Sequence, residues 1–307
     1  MFAFSTCWNS HRHTDGQALL AEVRALGFEY AELGHGTSLS LLDGIQRAVA
    51  DGEMKISSLH NFCPLPLGVF GPAPDYYLPS STRERERQQA VRHTLRTLEC
   101  AASLGAVAVV LHLGLVVMRD FTMRLVQLCA ANAADTPKFQ RLRNKALVVR
   151  DRKRQKYFDQ VCRSLDDVVP RAKELGLRLG LETRFGIEEI PNEDETADLL
   201  ARYGTDVVSY WHDVGHAQIK EQLGLLRHET ILERFRGQTA GMHLQDFRPP
   251  AFDHQPPGCG EFDFNRLAPF VTSEMVLAWE IHPQWKAEQL AAACRQAHDT
   301  LRKPATV

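Results

Sequence analysis

Eight short runs of apolar and β-branched residues recur along this chain, separated by longer amphipathic stretches. That alternation constrains the fold more than any other feature. The runs are Phe2–Trp8, Phe28–Leu33, Lys55–His60, Ala106–Leu113, Arg178–Thr183, Val207–His212, Gly241–Asp246 and Met275–His282. Strands that alternate with helices favour a parallel sheet with helices outside it, because each parallel crossover needs a helix-length connection. The intervening stretches stop where helices stop. Asp15 to Leu26 is followed by Gly27, Thr82 to Leu104 by Gly105, and Lys138 to Leu175 by Gly176. Glycine is the residue expected just past a helix end. Glu288 to Leu301 reads as a closing helix. Eight such units in 307 residues predict an α/β fold, a single-domain (β/α)8 TIM barrel spanning 1–307. The alternative is an open doubly wound sheet. No GxGxxG or GxxxxGK[ST] follows the first run, which weighs against it.

Composition narrows the function classes. Apolar residues make up 44% and charged residues 24%, which excludes a disordered chain, a collagen and a coiled-coil rod. The net charge of −2 gives no whole-protein reason to bind nucleic acid. No apolar run approaches the roughly 20 residues needed to span a bilayer, so no membrane partner is expected. Met1 to Ser10 does not read as a signal peptide, and the seven cysteines are scattered without a CxxC. The expected location is therefore cytoplasmic, with reduced thiols. The charge is uneven. Nine basic residues and one acid fall between Lys138 and Lys156, giving +8 there and −10 elsewhere. The stretch 114–156 reads as a basic helical insertion after the fourth strand. It is a solvated extension, a contact in a homo-oligomer, or a lid for an anionic substrate.

Acids and histidines gather at the strand ends. They are His60, His112, Glu182, the group His212, Asp213 and His216, then His243 and Asp246, and finally Glu280 and His282. In a barrel these C-terminal ends share one mouth, where active sites form. Several carboxylates crowded together there repel one another unless a cation joins them. Mixed Asp, Glu and His donors suit divalent Mn, Mg, Co or Zn. The central candidates are Glu182, Asp213, His243 and Glu280, spaced 31, 30 and 37 residues apart, one barrel unit per step. Two opposed glutamates, Glu182 and Glu280, can take a proton from one carbon and return it at another position.

These residues resemble a known family. LHLG (111–114), LGLETR (179–184), HDVGHA (212–217), MHLQD (242–246), DHQPPGCGEFDF (253–264) and WEIHP (279–283) are similar to the xylose-isomerase-like TIM-barrel superfamily. That superfamily includes sugar isomerases, sugar epimerases and endonuclease IV. The resemblance covers nearly the whole chain. It implies that Glu182, Asp213, His243 and Glu280 bind the metal and that the two glutamates are the acid/base pair. It implies a sugar or polyol substrate, an enediolate route, and a substrate contact from His216. Arg248 lies near a substrate-binding arginine of some relatives. His60, His112 and His254 match further metal ligands of the endonuclease branch and are substrate-side residues in the sugar branch. Phe252 stands where that branch has an aspartate, with Asp253 adjacent.

The expected activity is a sugar isomerase or epimerase dependent on a divalent metal, with Mn the first expectation and Mg, Co or Zn the others. A keto-sugar or inosose dehydratase or lyase, an apurinic-site endonuclease with several zinc ions, and a non-catalytic binding barrel are the competing readings. Trp8, Asn9, His11, His13 and Glu32 are secondary pocket residues. The loop Pro64–Pro79, with Phe70, Tyr76 and Tyr77, is expected to shape the mouth. The PPGCG glycines, Gly258 and Gly260, make a tight turn or let backbone approach a ligand.

Overall fold

The structure, a computed structural model, describes residues 1–302. Among the described residues ten strands form in chain order. They are β1 (Phe2–Ser5), β2 (Tyr30–Leu33), β3 (Lys55–His60), β4 (Ala108–Leu111), β5 (Arg178–Glu182), β6 (Val208–Asp213), β7 (Thr239–Leu244), β8 (Asp246–Arg248), β9 (Phe252–Gln255) and β10 (Val276–Trp279). β1 to β7 and β10 are parallel and close a barrel, with β10 returning to pair with β1. Closure removes both sheet edges and excludes the open doubly wound sheet. Around the barrel lie α1 (Gly16–Ala25), α2 (Leu42–Ala50), α3 (Glu84–Ser103), α4 (Thr122–Ala130), α5 (Pro137–Glu174), α6 (Glu193–Tyr203), α7 (Val214–Gln222), α8 (His228–Arg234) and α9 (Ala287–Arg302). No helix among the described residues is long and apolar enough to cross a membrane.

Several strands are shorter than the sequence patterns. β1 stops at Ser5 because the Ser5 hydroxyl accepts from the Cys7 N–H and caps a 3-10 turn over Thr6–Trp8. The last barrel strand ends at Trp279 instead of His282, and the seventh covers 239–244 instead of 241–246. Asp246 opens an antiparallel hairpin, β8–β9, that the pattern did not foretell. Gly27, Gly105 and Gly176 all stand in left-handed backbone just past α1, α3 and α5, as helix stops.

Successive strand residues point to opposite faces, so every second residue enters the barrel. Ala3, Ala108, Val110, Val276 and Ala278 form one inner cluster around Trp211. Small side chains from several strands thus leave room for one indole. Gly180 and Gly241 complete that room. A Cβ on Gly180 would lie 2.7 Å from the Trp211 ring, and one on Gly241 would lie 2.5 Å from it and 2.6 Å from the Val276 carbonyl. Trp211 is therefore the floor on which the mouth residues rest, with its ring centroid 5.3 Å from that of His243.

The 38-residue α5 is the longest element. At 1.5 Å per residue it runs about 57 Å, well beyond the barrel wall. Its second half packs on the main core through Val161, Leu165, Val168 and Ala172. Its first half joins a second core, in which Phe139 and Ala146 meet Phe121, Leu125, Ile187, Ile219 and Phe247. Six of the nine basic residues of 138–156 are exposed: Lys138, Arg141, Lys145, Arg152, Lys153 and Lys156. Arg150 is different. It is buried and donates to both carboxylate oxygens of Glu195 at 2.9 and 2.6 Å, tying α5 to the start of α6.

Gly241→Ala is expected to push against the Trp211 ring and a backbone carbonyl. It should lower unfolding free energy by about 1–3 kcal/mol, the usual cost of overpacking. Urea titration against the parent chain measures it, and unchanged stability contradicts the packing account.

Candidate metal centre

The inward residue at the top of each of four neighbouring strands is Glu182 on β5, Asp213 on β6, His243 on β7 and Glu280 just after β10. One donor atom from each lies within 4.8 Å of all the others. The backbone register brings them level: Asp213 pairs with His243, and the Glu280 N–H donates to the Leu244 carbonyl at 3.0 Å. Asp213 is also the N-cap of α7, where Oδ1 accepts from the His216 N–H at 2.7 Å. Its Oδ2 accepts from Gln245 Nε2 at 2.7 Å. Gln245 Oε1 in turn accepts from the His254 backbone N–H, so the β8–β9 hairpin is pinned to this carboxylate.

His243 Nδ1 is buried and has no hydrogen-bond partner among the described residues. It lies 3.2 Å from Glu280 Oε2, 3.5 Å from Glu182 Oε1 and 3.6 Å from Asp213 Oδ2. An unpaired imidazole nitrogen facing three buried carboxylates is a donor set that fits a divalent cation. Burial alone would raise the Glu182 carboxyl, but the imidazoles of His112, His216 and His243 outweigh it and hold it well below the usual range. Burial acts against Glu280 in the same way, and His243 and His254 hold that carboxyl down. Either glutamate can therefore serve as the base.

The other histidines of the reading are placed unequally. His60 Nε2 and His112 Nε2 lie 3.1 and 2.8 Å from Glu182 Oε2, and the three residues form a second cluster of donor atoms that shares Glu182 with the first. The Arg184 guanidinium abuts His112 Nε2, and is itself held by Glu189 at 2.8 Å and Asp75 at 3.3 Å. His216 directs Nδ1 at the Thr183 carbonyl, 3.0 Å away. His254 has left-handed backbone with φ 54° and sits between Asp253, 3.0 Å away, and Glu280, 3.7 Å away.

Some strand-end residues do not join the centre. His212 follows Trp211 and precedes Asp213, so it faces outward. It is enclosed between Tyr210 and His228, with ring nitrogens 2.8 and 3.0 Å from them. Burial lowers its pKa to about 3, so it stays neutral. Asp246 turns its carboxylate to the backbone N–H groups of Phe247, Gly258, Gly260 and Phe262. The PPGCG glycines thus wrap this side chain; a Cβ on Gly260 would lie 2.4 Å from it. His282 is exposed. Arg248 is exposed and lies over the Phe252 ring, 5.4 Å from its centroid. Trp8 is part of the core and donates its indole N–H to the Trp285 carbonyl at 2.7 Å. Asn9 and His13 bond to Glu22, and His11 is exposed. Tyr77 stacks on His93 of α3, while Phe70 is 97% exposed.

Four residues at the centre escaped the sequence reading. His35 lies two residues past β2 with Nε2 3.9 Å from Glu280, and burial brings its pKa down to about 3. It obeys the strand-end rule and was legible. Arg184 and Gln245 each follow a candidate ligand by two positions, but a search for acids and histidines passes over them. Asp75 comes from the long loop, where no periodicity marks it.

The family model described as "Xylose isomerase-like TIM barrel" matches residues 20–302. The uncharacterized protein y4fM of Sinorhizobium fredii is 25% identical over 280 residues, 85% of this chain and 79% of that one. Among solved structures, the 3-keto-D-glucoside 4-epimerase YcjR from E. coli superposes with TM-score 0.65 at 15% identity, covering 98% of each chain. D-psicose 3-epimerase with D-tagatose, from Clostridium cellulolyticum H10, gives TM-score 0.66 at 12% identity, covering 98% of this chain and 99% of that one. At such identities the structural likeness speaks for the fold.

Asp213→Asn removes a charged donor from the four. Mn2+ affinity is expected to fall by more than the about 10–100-fold typical of losing an outer partner. Equilibrium titration of Mn2+ measures it, and an unchanged dissociation constant contradicts the assignment of Asp213 as a ligand.

Proposed function

Because the chain belongs to the xylose isomerase-like TIM-barrel family, we propose that it is a divalent-metal-dependent isomerase or epimerase of a hydroxy-carbonyl sugar or polyol. The carrying observation is the pair Glu182 and Glu280, two buried carboxyl groups 3.5 and 3.2 Å from His243 Nδ1. The two structural neighbours described above are sugar epimerases, which supports the reading.

Glu182, Asp213, His243 and Glu280 would hold the ion, Mn2+ by preference. A divalent ion there supplies Lewis-acid polarisation of the substrate carbonyl and stabilises negative charge on its oxygens. The residues of the chain perform the proton work. One glutamate, ionised, takes the proton from the carbon beside the carbonyl and keeps it, and the other, which enters that step protonated, delivers its own proton to the opposite face or to the neighbouring carbon. His216 bonds through Nδ1 to the Thr183 carbonyl, which leaves Nε2 for a substrate oxygen. His254, between Asp253 and Glu280, closes the site from the hairpin side. A dehydratase or lyase would share the first proton transfer and differ in expelling a neighbouring leaving group.

One observation favours a second reading. His60 and His112 converge on Glu182, as a cluster of several ions in a nuclease would require. The Arg184 guanidinium against His112 Nε2 opposes it, since it places a fixed positive charge where a second cation would bind. Elemental analysis separates the two. One ion per chain fits the isomerase, whereas three zinc ions with cleavage of abasic DNA fit the nuclease.

Keto-sugars and inososes incubated with the Mn2+-loaded protein in deuterated water should acquire deuterium at the carbon next to the carbonyl. Glu280→Gln and Glu182→Gln should each slow that exchange by at least about 100-fold with folding retained, as loss of a positioned acid or base does. Full exchange in either variant, or in metal-stripped protein, would sink the reading.

A further inference from the structure

We propose that Glu32 is the positioning residue that selects the imidazole tautomer of His243 and so sets the affinity of the metal centre. The inference rests on the metal-dependent reading above. Glu32 lies on β2, in a strand separated from β7 by β1 and β10, and its side chain is fully buried. No arginine or lysine pairs with it among the described residues. Ser58 Oγ donates to its Oε2 at 2.8 Å, His243 Nε2 lies 3.2 Å from the same oxygen, and Oε1 has no hydrogen-bond partner. A carboxylate taken out of water with so few partners is costly, so it is a poor stabilising device.

Its geometry suits another task. An imidazole that ligates a metal is neutral and carries one proton, and the partner at one nitrogen decides what the other presents. A proton on Nε2 donates to Glu32 and leaves the Nδ1 lone pair directed at Glu182, Asp213 and Glu280. The opposite tautomer would aim a lone pair at the Glu32 carboxylate and remove one ligand from the centre. Two aromatic neighbours hold the ring plane: His60 is stacked at 5.8 Å between centroids, and Trp211 stands edge-on at 5.3 Å. Rotation of the ring is thus restrained by packing, and the choice of proton position falls to Glu32. An outer carboxylate that orients a ligating histidine is a recurrent device in metal proteins.

The test compares the parent chain with Glu32→Ala and Glu32→Gln. Mn2+ dissociation constants come from the electron paramagnetic resonance of free Mn2+. The His243 Nε2–H signal comes from 15N–1H NMR of the Zn2+-loaded protein, and circular dichroism reports folding. Glu32→Ala should weaken Mn2+ binding about 10–100-fold and lose the Nε2–H signal to solvent exchange. Glu32→Gln keeps an oxygen acceptor and should weaken binding by a smaller factor while retaining the signal. If Glu32→Ala does not fold, the Glu32→Gln dissociation constant carries the test. Folded variants whose affinity stays within about twofold of the parent overturn the inference alone, whatever their stability. A parent chain that binds neither Mn2+ nor Zn2+ overturns the metal-dependent reading, and the inference falls with it.

Discussion

The structure turns on the gathering of negative charge at one end of a closed barrel. Glu32, Glu182, Asp213 and Glu280 are all buried within the same layer of inward-facing side chains. Left alone they would repel one another and resist burial. Imidazoles answer that problem from every side: His60 and His112 at Glu182, His243 among the ligand set, His254 at Glu280. The centre is thus a mesh of carboxylate oxygens and ring nitrogens, with Glu32 Oε1 left unpaired, and a cation fits between Glu182, Asp213 and Glu280. The unpaired Nδ1 of His243 marks that place.

The barrel supplies the support this arrangement needs. Trp211 fills the lumen beneath the ligands because Gly180, Gly241 and several alanines leave space for it. A close-packed floor limits how far the ligands can shift, which is how a rigid scaffold holds a site. From above, Gln245 and Asp246 fasten the hairpin and the following turn. Their contacts run to Asp213 on one side and to four backbone N–H groups on the other. The rim residues therefore answer to the same carboxylates that define the centre.

The alternation of strands and helices was legible in the sequence, and so was the convergence of Glu182, Asp213, His243 and Glu280. Barrel periodicity and strand-end position locate both. Reading every strand-end acid and histidine as a mouth residue was too generous. His212 and Asp213 are adjacent, and a pleated strand sends one out as it sends the other in. Asp246 lies past the end of β7, where it serves a turn instead of the mouth. Arg248 and Trp8 illustrate the same limit: the first is exposed over Phe252, and the second is enclosed in the core. Arg184, Gln245 and Asp75 were not legible, because their meaning lies in contacts between segments far apart in the chain.

By itself the sequence determined the number of strand–helix units, the family, and which strand ends carry metal-ligating residue types. Periodicity and residue chemistry are local properties, so they survive without a fold. The tertiary structure decided which of those residues face one another, which atoms of each remain unpaired, and how charge balances among them. It brought Glu32 to His243 across 211 positions of chain and set Arg184 against His112 across 72. Those pairings depend on barrel closure and on the facing of each side chain at the mouth, and neither is written in any single stretch of residues.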